Sequence, residues 1–323
     1  MSEFSPEPVA SIQLLKKRDN GFISKNTQPW EEYKWMDPDT APWYTNQRNR
    51  LGPEWRYFDK EVSYIYNDDG FRNDKNLEDV QDDYYAVFGA SPIEAIALPK
   101  DETISDYITE ESGTYCYNFG MSGTALFEQY NNFMVMMTQY KPPKAVLMTS
   151  NRPHNSTVED PDHPGYYVKV GPWIEHFKKY LKNRDNDWLD LVIDYYRNRV
   201  ETNKFRHEQE MILRMMKMVC DDKGVPLVML ACMESQQFKD EPFIGPKNTP
   251  WIGAGMNGDE DPIEIIFHAD DENFMEGMIN FKSNNHPVDV MNFGGHSAAR
   301  DGYHQGWYWN QRVAKRFLEI VNG

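Results

Sequence analysis

The chain has 323 residues, 40% of them hydrophobic and 14% aromatic, enough to bury one large core or two modest ones. A formal net charge of -17 repels phosphate backbones and argues against a nucleic-acid-binding role. Cys116, Cys220 and Cys232 form no C-x-x-C pair, which argues against a disulfide framework or structural zinc and reads as small buried side chains. No apolar run approaches a membrane span, and MSEFSPEPVASIQLLKK lacks a signal-peptide pattern, so the expectation is a soluble, cytoplasmic protein.

Residues 1–80 are rich in Trp, Tyr, Pro and Asn and show few periodic apolar patterns. They read as an irregular extension pinned to the main domain by Trp30, Trp35, Trp43, Trp55, Tyr57, Tyr64 and Tyr66. A sharper alternative is a carbohydrate-stacking surface. Residues 81–323 read as an α/β domain with an inserted helical region at about 156–222. Within it, strands are predicted at 84–89 (YYAVFG), 114–119, 145–149 (AVLMT) and 225–231 (VPLVMLA), with a further one at 288–293. Helices are predicted from a Thr103 cap to about 110, over 125–140, over about 172–220, and over 311–321. Near the end of the third, Ile212, Met215, Met216 and Val219 form an apolar stripe that reads as core. Alternating strands and helices imply a mostly parallel sheet covered on both faces, with ligands at the carboxyl ends of its strands. Ser91, Gly123 and Asn151 all fall just after predicted strands.

A serine at a strand-to-turn position, as in Gly89-Ala90-Ser91-Pro92, exposes its hydroxyl, but the hydroxyl is a weak nucleophile without a base. Asp301-Gly302-Tyr303-His304 places a carboxylate and an imidazole three residues apart, so that one fixes the tautomer of the other. Either signal alone is weak. Together, the blocks EVSYIYNDDGFRNDKN, YAVFGASPIEAIALPKDETI, YNFGMSGTA and RDGYHQGWYWNQRVAKRF resemble the SGNH/GDSL hydrolase family in order and spacing. The resemblance covers about 60–155 and 295–320. It includes an Asn-x-x-Gly-Phe-Arg piece at Asn67, Gly70, Phe71 and Arg72, familiar from members with an N-terminal extension.

The resemblance implies a three-layer α/β/α flavodoxin-like fold and a serine esterase needing no metal or organic cofactor. It makes Ser91 the nucleophile, His304 the base and Asp301 its orienter, with Gly123 and Asn151 as oxyanion donors. The implied substrate is a small-molecule or carbohydrate ester, including O-acetyl groups on sugar. Two departures stand out. The family's Asp before the serine is Ala90, and Asn151 falls about one residue early, with Asn155 as a rival. They keep two alternatives in view: a catalytically silent binding or structural protein, and an O-acyltransferase.

Other candidates are weaker. Residues 253–258 fit G-x-G-x-x-G, but without a preceding strand-like run and with Asp-Glu-Asp-Pro following, which repels a pyrophosphate. Asp259, Glu260, Asp261, Glu264, Asp270, Asp271 and Glu272 lack EF-hand spacing and read as a solvated acidic loop. His286 and His296 lack the helical pairing of a metal site, and His154 and His163 read as ordinary loop residues.

Overall fold

The structure is a computed structural model that describes residues 14–36, 39–80, 82–149, 156–159, 163–170, 190, 202–232, 249–257, 260–268, 299–301, 304 and 306–323. It begins with an antiparallel pair, β1 (Leu14–Lys17) and β2 (Ile23–Lys25). β3 (Glu32–Tyr33), helix α1 (Ala41–Leu51) and β4 (Tyr64–Ile65) follow, with β3 and β4 paired. The extension is thus more regular than its sequence predicts. Helix α1 escapes detection because it has no apolar face: the residue it buries is Gln47. The extension's aromatics are split: Trp30 and Trp43 are exposed, while others are buried. Trp55, Tyr57, Tyr64 and Tyr66 are buried in one cluster with Ala95, Ile96, Ala97, Leu98 and Ala299.

Next come β5 (Tyr85–Phe88), the one-turn helix α2 (Ser91–Glu94), α3 (Ile104–Ser112), β6 (Cys116–Asn118), α4 (Leu126–Gln139) and β7 (Ala145–Thr149). Thr103 caps α3 as expected, its Oγ1 accepting the Asp106 N–H at 3.1 Å. The region expected to be helical from 156 opens instead with strands β8 (Ser156–Glu159) and β9 (Tyr166–Val170), and β9 pairs with β1. Thr157, Val158, Tyr166, Tyr167, Val168 and Val170 are the β-branched and aromatic residues that a pleated surface favours. Residue 190 apart, the described helical part is α5 (Thr202–Lys223).

β10 (Leu227–Cys232), β11 (Pro250–Asn257), β12 (Glu260–His268) and α6 (Trp307–Asn322) complete the described elements. β11 covers most of the 253–258 motif, and β12 corrects the reading of Glu260, Asp261 and Glu264 as part of an acidic loop. Trp251, Ile252, Ile263, Ile265, Ile266 and Phe267 favour strands strongly enough to carry the acidic residues between them. The strand expected at 288–293 lies outside the described residues, as does most of the stretch between α5 and β9.

The main sheet has the order β12-β11-β10-β7-β5-β6. Neighbours from β6 to β11 run parallel, and β12 is antiparallel at the edge. Successive strand residues face opposite sides. Ala86, Phe88, Val146, Met148, Leu227 and Met229 share a core that includes buried residues of α4 and α5. Tyr85, Val87, Ala145, Leu147, Val228 and Leu230 share a second with α3 and α6. These are the expected three layers. The stripe on α5 is rotated from the predicted one: Leu213, Met216 and Cys220 are buried, while Met215 is 38% exposed. Cys116 and Cys220 are buried and free, as expected.

From β5 the chain passes to β6 on one side and then crosses to β7 on the other. The carboxyl ends of β5 and β7 therefore flank the point where strand order reverses, the position at which open α/β sheets bind ligands. The fully buried Phe317 locks α6 onto this sheet, edge-to-face with Tyr85 at 5.6 Å. Phe317→Ala should lower stability by about 3–5 kcal/mol in denaturant unfolding.

Candidate functional site

Ser91 is half-buried and opens helix α2 directly beyond β5. The helix stops after one turn because Ala95 enters the left-handed region at φ 58°. Ala97 does the same at φ 65°. Two non-glycine residues with positive φ within three positions make this a strained turn. Its carbonyls are gathered by Arg72. One Nη donates to Glu94 O at 3.2 Å and Ala95 O at 2.7 Å, the other to Ser63 O at 2.9 Å and Leu98 O at 2.7 Å. The guanidinium also lies 4.5 Å over the Tyr64 ring.

Asp301 and His304 form a buried pair. His304 Nδ1 lies 2.6 Å from Asp301 Oδ2, and the His304 N–H donates to Asp301 Oδ1 at 3.1 Å. Ala299 N–H donates to His304 O at 3.0 Å, closing the segment into a tight loop. A carboxylate on Nδ1 selects the tautomer that carries its proton there. Arg300, between Ala299 and Asp301 in sequence, fixes this loop from two sides. Its N–H donates to Ala97 O at 2.9 Å, in the strained turn that follows Ser91. Its guanidinium grips Asp39 at 2.5 and 3.1 Å and lies 4.4 Å over Trp35. Tyr64 Oη completes the group, donating to Asp39 at 2.5 Å.

The loop after β6 reaches the same place. Gly120 presses on α2 so closely that a Cβ there would lie 2.3 Å from the Glu94 nitrogen, which excludes any side chain. Asn118 Nδ2 donates to Ile93 O at 2.8 Å. Gly123 holds φ 73°, a value natural for glycine. Between them, the Ser122 N–H donates to the Glu94 carboxylate. Glu94 is wholly buried, paired with Lys25 at 2.5 Å and bonded by Tyr66 Oη at 2.5 Å. Burial pushes its carboxyl up, but Lys25 and these donors outweigh burial and hold it below the ordinary glutamate value.

One step further out, Lys169 Nζ donates to Ser122 O at 2.7 Å. Nearby, Glu128 accepts the Ala125 N–H at 3.0 Å and the Thr157 hydroxyl. Burial pushes the Glu128 carboxyl up to about 8.

Ser91, Gly123, Asp301 and His304 are thus carried by segments that hydrogen-bond or pack onto one short turn. Asn151 and its rival Asn155 lie outside the described residues, as do His154, His286 and His296. Glu260, Asp261 and Glu264 fall in β12 rather than a loop. Among the described residues no group of three or more His, Cys, Asp or Glu is placed to hold a metal ion. No described helix is long and apolar enough to cross a membrane. Sequence reasoning missed Lys25, Asp39, Glu94 and Arg300. Only Glu94, three residues from Ser91 in a helical turn, carried any local hint.

No protein-family model matches the sequence, and no curated protein matches it either. Solved structures that resemble it include proteins named as lipolytic G-D-S-L family members and as esterases. A member of the lipolytic protein G-D-S-L family from Veillonella parvula DSM 2008 aligns at 9% identity and a TM-score of 0.29, over 49% of this chain and 63% of its own. AlinE4, an SGNH-hydrolase family esterase, aligns at 13% and 0.27, over 46% and 59%. An acetyl xylan esterase from the rumen bacterium Butyrivibrio proteoclasticus aligns at 8% and 0.35, over 77% and 65%. The alignments cover under two thirds of those chains. Superpositions this loose leave the functional reading to the residues themselves.

Lys25→Met should destabilise the protein by about 3–5 kcal/mol, because it strands a buried charge. The Glu94 carboxyl is lowered on folding, so its stabilisation is present above the ordinary glutamate value of about 4.3 and is lost as pH falls through the folded value. Lys25→Met should abolish that acid-side loss in denaturant titrations between pH 3 and 6 (roughly the range bracketing the glutamate value). Glu128 behaves oppositely. Its folded carboxyl is raised, so stability falls as pH climbs from about 4.3 to about 8 and then levels off. Glu128→Gln should flatten that decline and gain on the order of a few kcal/mol at the alkaline end.

Proposed function

We propose that the protein is a serine-dependent hydrolase of carboxylic esters. The observation that carries this reading is the tether between its parts: the buried Asp301/His304 pair is hydrogen-bonded, through Arg300 N–H, to the turn that Ser91 opens. Ser91 Oγ attacks the ester carbonyl while His304 takes its proton. Asp301 holds the imidazole and stabilises its cation. The oxyanion is met by the Ser91 N–H, which as a first-turn helical N–H has no acceptor within α2, and by Gly123 N–H and the Asn151 amide. Each such donor is worth about 2.7–4 kcal/mol. The alcohol leaves with the proton from His304, and water, activated by the same base, hydrolyses the acyl-enzyme. Side chains, backbone N–H groups and water supply every step.

A narrower reading makes the substrate an O-acylated carbohydrate. Four of the rings behind it, Trp55, Tyr57, Tyr64 and Tyr66, are used in packing. Trp35 is covered by the Arg300 guanidinium, and Trp30 and Trp43, 45% and 52% exposed, are the rings of that set left to stack on a sugar. One observation favours a catalytically silent relative instead: Ala90 occupies the N-cap of α2 and offers no side-chain hydrogen bond there.

A fluorophosphonate probe at neutral pH separates the two. The hydrolase should carry one adduct on Ser91 by peptide mass spectrometry, lost in Ser91→Ala. Turnover of p-nitrophenyl acetate should fall by about 10⁴-fold in Asp301→Asn, which keeps the shape and loses the tautomer control. An unlabelled Ser91 in the folded protein sinks the reading.

A further inference from the structure

We propose that Arg72 is a positioning residue for the reaction, holding the strained turn 94–98 in the one conformation that registers Ser91 against the Asp301/His304 segment. The proposal rests on the reading of Ser91 and His304 as the reacting pair. Ala95 and Ala97 occupy left-handed backbone that side-chain-bearing residues disfavour, so the turn needs an external hold. Arg72 supplies it. Its planar fork meets carbonyls at Glu94, Ala95 and Leu98 on the turn and at Ser63 beside β4. Among the described residues the Nε of Arg72 finds no hydrogen-bond partner, so the carbonyls at the end of the fork set where the guanidinium sits.

The turn is also the joint between the two catalytic segments. Its upstream end is the Ser91 helix, whose Ser91 O accepts the Ile96 N–H at 3.3 Å. Midway, Ala97 O takes the Arg300 N–H, and Ala97 N–H in turn donates to Tyr64 Oη at 2.7 Å. If residues 95–97 relaxed to right-handed backbone, the Ala97 carbonyl would turn and the loop bearing Asp301 and His304 would lose its anchor. Arg72 touches no reacting atom. It acts through the backbone alone.

Arg72→Lys keeps the charge but replaces a two-pronged planar donor with a single ammonium that cannot span Ser63 and the turn together. On p-nitrophenyl acetate, kcat should fall by about 10²-fold with KM nearly unchanged, the scale of a misplacement near 1 Å. Fluorophosphonate labelling of Ser91 should slow in parallel. Adding Ala95→Gly and Ala97→Gly to Arg72→Lys should restore most of the rate, since glycine adopts left-handed backbone without strain. Hydrogen exchange at the Arg300 amide reads the joint without reference to activity, and it should speed up in Arg72→Lys and slow again in the triple variant.

Wild-type kcat in Arg72→Lys overturns the proposal, as does a loss that the two glycines fail to recover. If Arg72→Lys does not fold, the triple variant is measured by itself. Its failure to regain a folded, labelled protein overturns the proposal equally. A wild-type protein that resists labelling refutes the Ser91 reading instead, and the Arg300 exchange result then stands apart as the test of the joint.

Discussion

The site depends on one buried carboxylate. Glu94 sits in the same helical turn as Ser91 and is removed from water entirely. A lone carboxylate there would be untenable. Lys25 comes from β2, the Tyr66 hydroxyl from just beyond β4, and the Ser122 N–H from the loop beyond β6. Each donor belongs to a different segment, and satisfying one charge draws all of them to the carboxyl end of β5. The turn that Ser91 opens and the loop that carries Gly123 are thus set against each other by the need to neutralise one buried charge.

The same logic runs through the N-terminal residues. Asp39 answers Arg300 and Arg72 answers the carbonyls of the turn. Around Glu102, Arg56 and Lys60 both approach at 2.6 Å and the Tyr57 hydroxyl at 2.7 Å, while Asn310 of α6 donates to its carbonyl at 2.8 Å. Buried ionic groups add little net stability over a well-packed apolar core, but breaking one partner is costly. Such contacts specify geometry more than they hold the fold together. The sheet and its two apolar cores do the holding. The described residues between Leu14 and Val80 thus supply Lys25, Asp39, Tyr64, Tyr66 and Arg72 to the contacts around this turn.

The layering was legible in the sequence because it is a matter of pattern. YYAVFG and AVLMT are apolar runs bounded by turn residues, and the helices between them have a visible apolar face. Ser91, Asp301 and His304 could be singled out only because the blocks that carry them resemble a known order of motifs. The supporting residues were not. Lys25, Asp39 and Arg300 sit in stretches with no period, and a buried charge looks like a surface charge until its partner is known. The β11–β12 hairpin was hidden by its own glycines and acids, which mask the alternation of Ile and Phe. Helix α1 was hidden because it buries almost nothing.

The Asp39–Arg300 clasp joins positions 261 residues apart in the chain. During synthesis, Lys25, Arg72 and Ser91 all leave the ribosome well before Arg300. The turn that Ser91 opens can form on the nascent chain, held by Lys25 and Arg72, while Asp301 and His304 do not yet exist. Closure of so long a loop comes late in folding. An exposed serine without a base is inert toward esters. On the proposed reading of Ser91 and His304, reactivity is thereby deferred until His304 has been made, and the earlier nascent chain is spared that chemistry.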